Sequence, residues 1–252
     1  MPFRTVRGHR LEVAHIPGDA DRPALVFLHE GLGSTALWKD FPASVAAATR
    51  CPTIVYSRYG YGKSDPIAGP RAVRYMHDEA LHALPELLDE LQVENPILIG
   101  HSDGASIALI HAGAGERSVR GLILEAPHVF VEDLTVDSIA KAKITYETTD
   151  LGAKLGRYHD DPDNTFWGWN DIWLHPDFRA WNIEEVLPSI TCPSLVIQGA
   201  DDEYGTLAQV ETIAAQSGGP VDTLVLPDCR HSPHRDQEAA TRHAMVRFIE
   251  EL

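Results

Sequence analysis

A serine hydroxyl attacks a carbonyl near neutral pH only with a base beside it, a carboxylate to orient that base and donors to receive the oxyanion. The sequence holds candidates for each, far apart in the chain. Ser102 lies in Gly100-His101-Ser102-Asp103-Gly104, a Gly-x-Ser-x-Gly pattern. Asp202 follows Gly199 by three residues, and His231 sits in Cys229-Arg230-His231-Ser232-Pro233-His234. Asp201 competes with Asp202 as the acid, and Glu125 is a rarer alternative. Serine, acid and histidine in that chain order suit a sharp strand-to-helix turn that carries the nucleophile.

The flanking residues are those such a turn needs. Ile97, Leu98 and Ile99 form an apolar run typical of a buried parallel strand, and small and apolar residues recur at helical spacing from Ala105. Glycines on both sides of Ser102 make room where a Cβ would strike a neighbouring strand or helix. Ser102 is then expected in strained backbone, its hydroxyl at a helix N-terminus that favours negative charge.

The rest of the chain alternates strands and helices. A hairpin is expected over residues 5–16, turning at Gly8-His9, with strands at 24–28, 53–56, 121–124, 194–198 and 221–226. Helices are expected from about residue 35, over 75–92 with Pro85 as a kink, over 207–216, and from 237 to the end. This predicts an α/β fold, a mostly parallel sheet with helices on both faces. Residues 128–187 break the rhythm. They hold Trp167, Trp169, Trp173 and Trp181 with no buried-strand run, and read as a helical insertion.

Bulk properties narrow the function. A chain of 252 residues can bury one large core, or a core plus a small lid. With 21 basic and 37 acidic residues the formal charge is −16, which repels nucleic acid and anionic membranes and leaves a small-molecule substrate as the expected partner. No apolar run approaches spanning length, and the first 13 residues carry no signal-peptide pattern. Cys51, Cys192 and Cys229 are odd in number and widely spaced, which suits reduced thiols in a cytoplasmic protein. His231 and His234 lack a third ligand at a recognised metal spacing, so neither metal nor cofactor is expected.

Four pieces together make the chain resemble the α/β-hydrolase superfamily over nearly its whole length. They are His29-Glu30-Gly31-Leu32-Gly33, the Gly60-Tyr61-Gly62-Lys63-Ser64 loop, the Ser102 turn, and the Asp202 and His231 loops. The resemblance implies an α/β-hydrolase core over 1–127 and 188–252, with a helical cap at 128–187 inserted after strand six. It makes Ser102 the nucleophile, His231 the general base and then acid, and Asp202 the residue that holds the imidazole. The oxyanion hole would be the amides of Asp103 and Gly31. The implied activity is hydrolysis of a small ester, thioester or lactone through an acyl-serine. The same triad serves carbon-carbon bond hydrolysis of ring-cleavage products and perhydrolase or haloperoxidase-like activity elsewhere in the superfamily, and a non-catalytic ligand-binding member is a further alternative. Epoxide hydrolysis and dehalogenation are disfavoured, because those relatives carry Asp where Ser102 stands.

One residue departs from the pattern. Glu30 occupies the place of a glycine common in the superfamily, and a carboxylate there opposes an oxyanion unless it is paired or turned away. Trp167, Trp169 and Trp173, with Glu30, are candidate substrate contacts; the tryptophans serve equally well as glue between cap and core. Asp103 reads as a residue stabilised by the helix dipole, or as a selector of cationic or donor-bearing substrates. His101 is expected to pack, and His234 to lie at the surface or behind the site.

Overall fold

The computed structural model describes residues 3–252. Eight strands form one sheet: β1 (Phe3–Val6), β2 (His9–Ile16), β3 (Leu25–Leu28), β4 (Thr53–Tyr56), β5 (Ile97–His101), β6 (Gly121–Glu125), β7 (Ser194–Gly199) and β8 (Val221–Leu226). Their order is β1-β2-β4-β3-β5-β6-β7-β8. β2 runs antiparallel to both β1 and β4, and every pair from β4 to β8 is parallel. The five strands β3 to β7 are buried at every position, as apolar runs without alternation require when both faces are covered.

The first hairpin pairs Val6 with His9, so its loop is Arg7-Gly8, both at positive φ (53° and 78°). Two central residues at positive φ match the right-handed twist of the strands they join. Helices α1 (Phe41–Thr49) and α9 (Glu238–Glu251) cover one face, and α4 (Asp103–Ala114) with α8 (Leu207–Gln216) the other. The chain before α1 forms only one 3₁₀ turn, Thr35–Trp38, because Lys39 adopts φ 52° and stops it. The helix expected over 75–92 is broken in three: α2 (Tyr75–Asp78), a π-turn (Glu79–Ala83) and α3 (Leu84–Glu90). Pro85 opens α3; it has no N–H to give and crowds the carbonyl four residues back, so the ladder widens just before it.

After β6 the chain leaves the sheet as α5 (Asp133–Thr148), α6 (Leu151–Leu155) and α7 (Pro162–Trp173), then two 3₁₀ turns lead to β7. The insertion is helical, with one short antiparallel bridge, Phe130 to Asn182, joining its outgoing and returning strands of chain. Trp173, Phe178 and Trp181 pack together under it, and Phe178 and Trp181 stack at 5.5 Å. The last 3₁₀ turn, Glu184–Ser189, lies against α4 at Gly113, where a Cβ would meet Val186.

Candidate active site

The turn between β5 and α4 places Ser102 at φ 53°, ψ −116°, as the residue that caps α4. A non-glycine residue there stores on the order of 1–3 kcal/mol of strain. The surroundings hold it: the Ser102 amide donates to the Glu125 carbonyl at 2.9 Å. A Cβ on Gly100 would strike the backbone of Gly104 and Ala105, and one on Gly104 would strike the Leu28 carbonyl. Both glycines are therefore required by close approach of backbone to backbone.

Two strand ends bring the partners. His231, in the loop after β8, has Nε2 at 2.9 Å from Ser102 Oγ, and its Nδ1 lies 2.8 and 2.9 Å from the two Asp202 oxygens. Asp202, after β7, also accepts from the Tyr204 amide (2.7 Å), the Gly205 amide (3.2 Å) and Gln198 Nε2 (2.7 Å). Burial alone would raise the Asp202 carboxyl, but the His231 imidazole and the Tyr204 amide hold it below its ordinary value. With Nδ1–H on the carboxylate, Nε2 is free to take the serine proton. Asp201 is exposed and turned away, its amide on the Cys229 carbonyl.

Glu125 belongs to a separate pair. Its Oε2 accepts from the amide of His234 (3.0 Å) and meets His234 Nδ1 at 2.9 Å, with both side chains buried. His234 is thus enclosed, because β6 ends with a carboxylate that must be paired there. His101 lies between the two pairs. Its Nε2 donates to the His231 carbonyl at 2.7 Å, and its Nδ1 faces Glu30 Oε2 at 3.5 Å.

That contact explains Glu30. Its side chain folds back over Gly33, with Oε2 toward His101 and Oε1 3.6 Å from Arg235 Nη2. Burial would raise the Glu30 carboxyl, yet His101 and Arg235 hold it well below the usual range; burial would lower His101, and Glu30 raises it. The carboxylate is paired, so it does not stand bare beside an oxyanion.

Arg58, which is 2% exposed, sets the loop before Gly31. Its Nη2 donates to the carbonyls of His29 (3.1 Å) and Glu30 (2.9 Å), while its amide donates to His29 Nε2 (3.0 Å). His29 Nδ1–H also donates to the Glu30 carbonyl (2.7 Å), and burial together with Arg58 keeps this histidine neutral. A trans peptide directs its C=O and N–H oppositely, so a Glu30 carbonyl pinned inward turns the Gly31 N–H outward. Gly31 and Asp103 both line the cavity at Ser102, and among the described residues neither amide has an acceptor.

The Asp103 side chain is buried and fully engaged. Its oxygens accept from Tyr75 Oη (2.7 Å) and Trp173 Nε1 (3.3 Å), with Arg58 Nη2 at 3.8 Å. It ties the helical insertion to the Ser102 turn and has no free oxygen for a substrate.

The cavity at Ser102 has a volume of about 210 Å³. Glu30, Trp169 and Trp173 are in its wall; Trp167 is not. Trp167 lies on the far side of α7, against Tyr146 and Phe166, because one residue along a helix turns a side chain by about 100° from its neighbour. The wall also contains Thr135, Ile139, His128 and Tyr204. Sequence reasoning passed over all four, although His128, one residue past Pro127 at a strand end, carried a usable signal.

A model of the alpha/beta hydrolase family matches residues 25–244, and the chain belongs to that family. Over 112 residues it is 32% identical to the 2-succinyl-6-hydroxy-2,4-cyclohexadiene-1-carboxylate synthase of Serratia proteamaculans, covering 43% of this chain and 40% of that protein. Over 137 residues it is 30% identical to an uncharacterized protein of Mycobacterium tuberculosis, covering 54% and 37%. The chain thus spans well under half the length of these curated relatives. Among solved structures it is similar to the enol-lactonase of Burkholderia xenovorans LB400 (TM-score 0.78, 19% identity, 99% of this chain and 100% of that one). It is also similar to a thermophilic esterase of Thermogutta terrifontis (0.76, 17%, 99% and 98%) and to the meta-cleavage product hydrolase of Pseudomonas fluorescens IP01 (0.76, 15%, 100% and 98%). At these identities the likeness is one of fold.

Proposed function

We propose that this protein is a serine hydrolase that cleaves a small carboxylic ester, thioester or lactone through an acyl-Ser102 intermediate. The observation that carries the reading is the unbroken relay Asp202, His231, Ser102, with each link at 2.8–2.9 Å, opening on a cavity between the sheet and the insertion. His231 takes the Ser102 proton as Oγ attacks the carbonyl. The amides of Asp103 and Gly31 receive the oxyanion, and His231 then protonates the leaving oxygen or sulfur. Water enters by the same route and releases the acid. Residues 128–187 act as the cap that closes over this chemistry.

The walls narrow the substrate. A volume of about 210 Å³ suits a short acyl group rather than a long chain. The nearby cations are already paired: Arg58 with two carbonyls and Asp103, and Arg235 with Glu30. Among the described residues a substrate bearing several carboxylates would find no unpaired cation in this wall, which favours a neutral ester over a polyacid.

A p-nitrophenyl ester panel of rising acyl length, run on the wild type and on Ser102→Ala, tests the reading. Turnover should favour short acyl groups and fall by at least about 10³-fold in the variant. Turnover that survives Ser102→Ala, or none at all by the folded wild type on any ester, would overturn it.

A further inference from the structure

His128 is 2% exposed, lines the cavity and forms no part of the relay. The chain spends strain to place it. Ala126, two residues earlier, has φ 47°, and the His128 carbonyl is pinned by Ser106 Oγ at 2.6 Å. The ring lies 5.7 Å from that of His231 and 5.4 Å from that of Trp173, centroid to centroid.

The ring's hydrogen bonding is unfinished. Nδ1 is enclosed without a partner, on the edge that abuts Gly205. A buried N–H with no acceptor is costlier than a bare nitrogen lone pair, so the proton belongs on Nε2, the ring's other nitrogen, which is not sealed in as Nδ1 is. Burial and the neighbouring His231 push this histidine down to about 3, which keeps the ring uncharged. The cavity therefore gains a neutral N–H donor that the protein itself does not use.

A second donor lines the same cavity. Trp173 gives its indole N–H to Asp103, and those of Trp38 and Trp181 are sealed in the core. Trp169 instead lays Nε1 against Gly31, so closely that a Cβ on that glycine would collide with it. Its N–H has no acceptor among the described residues, and the side chain lines the cavity.

We propose that His128 Nε2–H and Trp169 Nε1–H form a subsite that selects substrates carrying a second oxygen acceptor a few bonds from the scissile carbonyl, such as a β-oxo ester. This rests on the serine hydrolase reading of the same cavity. Two uncharged donors in a mostly apolar wall favour a neutral carbonyl or ether oxygen, and a substrate without one leaves both donors unpaired when water is expelled.

Ethyl 3-oxobutanoate and ethyl butanoate differ by one carbonyl in place of a methylene. Their kcat/KM ratio is measured in the wild type, His128→Phe, His128→Gln and Trp169→Phe, and the binding of both esters to Ser102→Ala is measured by calorimetry. The wild type should prefer the oxo ester, and His128→Phe should cut the ratio by about tenfold, the loss of one buried hydrogen bond. His128→Gln keeps an N–H and should retain part of the preference. A wild-type ratio near one, a ratio unchanged in His128→Phe, or Ser102→Ala binding the two esters alike or neither would overturn the subsite. Turnover of both esters without preference would overturn the subsite and leave the hydrolase reading standing. Preferential binding of the oxo ester to Ser102→Ala, lost with His128→Phe, alongside a wild type that turns over neither, would do the reverse.

Discussion

Two carboxylate-histidine pairs stand at neighbouring strand ends, and only one of them reaches the Ser102 hydroxyl. Asp202 and His231 follow β7 and β8, with the His231 side chain 13% exposed and its outer nitrogen on Ser102 Oγ. Glu125 ends β6 and binds His234 with both side chains 2% exposed or less. The pairs share their chemistry and a Nδ1-to-oxygen distance of 2.8–2.9 Å. What separates them is the third partner and a path to the cavity: His234 is packed against Trp38 and Phe41, whereas His231 faces the cavity beside Tyr204. An acid beside a histidine is thus a device for burying charge as readily as for catalysis. His101 lies against both histidine rings, at 5.2 Å from His231 and 5.0 Å from His234, so it joins the sealed pair to the one that faces the cavity.

The comparison can be broken most sharply at the acids. Asp202→Asn removes the carboxylate that fixes the His231 tautomer, and kcat on a short ester should fall on the order of 10⁴-fold with the fold intact. Steady-state kinetics together with circular dichroism check this. Glu125→Gln should do the opposite. It weakens a buried pair and should lower unfolding free energy by about 1–3 kcal/mol in denaturant melts, with kcat far closer to wild type than in Asp202→Asn. Equal losses of kcat in the two variants would erase the distinction drawn here.

Acid sharpens it further. The folded Glu125 carboxyl lies below its ordinary value, with burial opposing and His234 outweighing it, so its stabilisation is complete above about pH 4.5 and is lost as pH falls through the folded value. His128 acts earlier. Its folded value of about 3 lies below the 6.5 of the unfolded chain, so the unfolded state binds the extra proton and stability falls as pH drops from about 6.5 toward 3. His128→Phe should therefore make the melting-temperature curve less steep from pH 6.5 down to about 3, leaving below pH 4.5 only the part of the decline that the carboxylates contribute. Thermal melts across that range make the measurement.

The sheet was legible in the sequence because buried parallel strands read as short apolar runs, and Ile97, Leu98 and Ile99 or Leu195, Val196 and Ile197 are such runs. The serine turn was legible because its glycines answer a steric need that lies within a few residues of chain. What escaped was set by long-range contact. Glu30 reads as a misplaced charge until His101 and Arg235 are seen around it. Arg58 reads as a loop residue, although it holds the His29 and Glu30 carbonyls. The tryptophans of α7 could not be sorted before the helix phase was known, which turns Trp169 and Trp173 inward and Trp167 away. Asp103 shows the same limit from the other side, since its partners Tyr75, Trp173 and Arg58 come from three separate stretches.

The most direct measurement is the intact mass of the protein after brief exposure to a fluorophosphonate, followed by peptide mapping, on the wild type, Ser102→Ala and His231→Ala. One phosphonyl group per wild-type chain, located on Ser102, absent from Ser102→Ala and slowed by several orders of magnitude in His231→Ala, is the result this account predicts. A folded wild type that stays unlabelled, or labels with equal speed when His231 is removed, would contradict it.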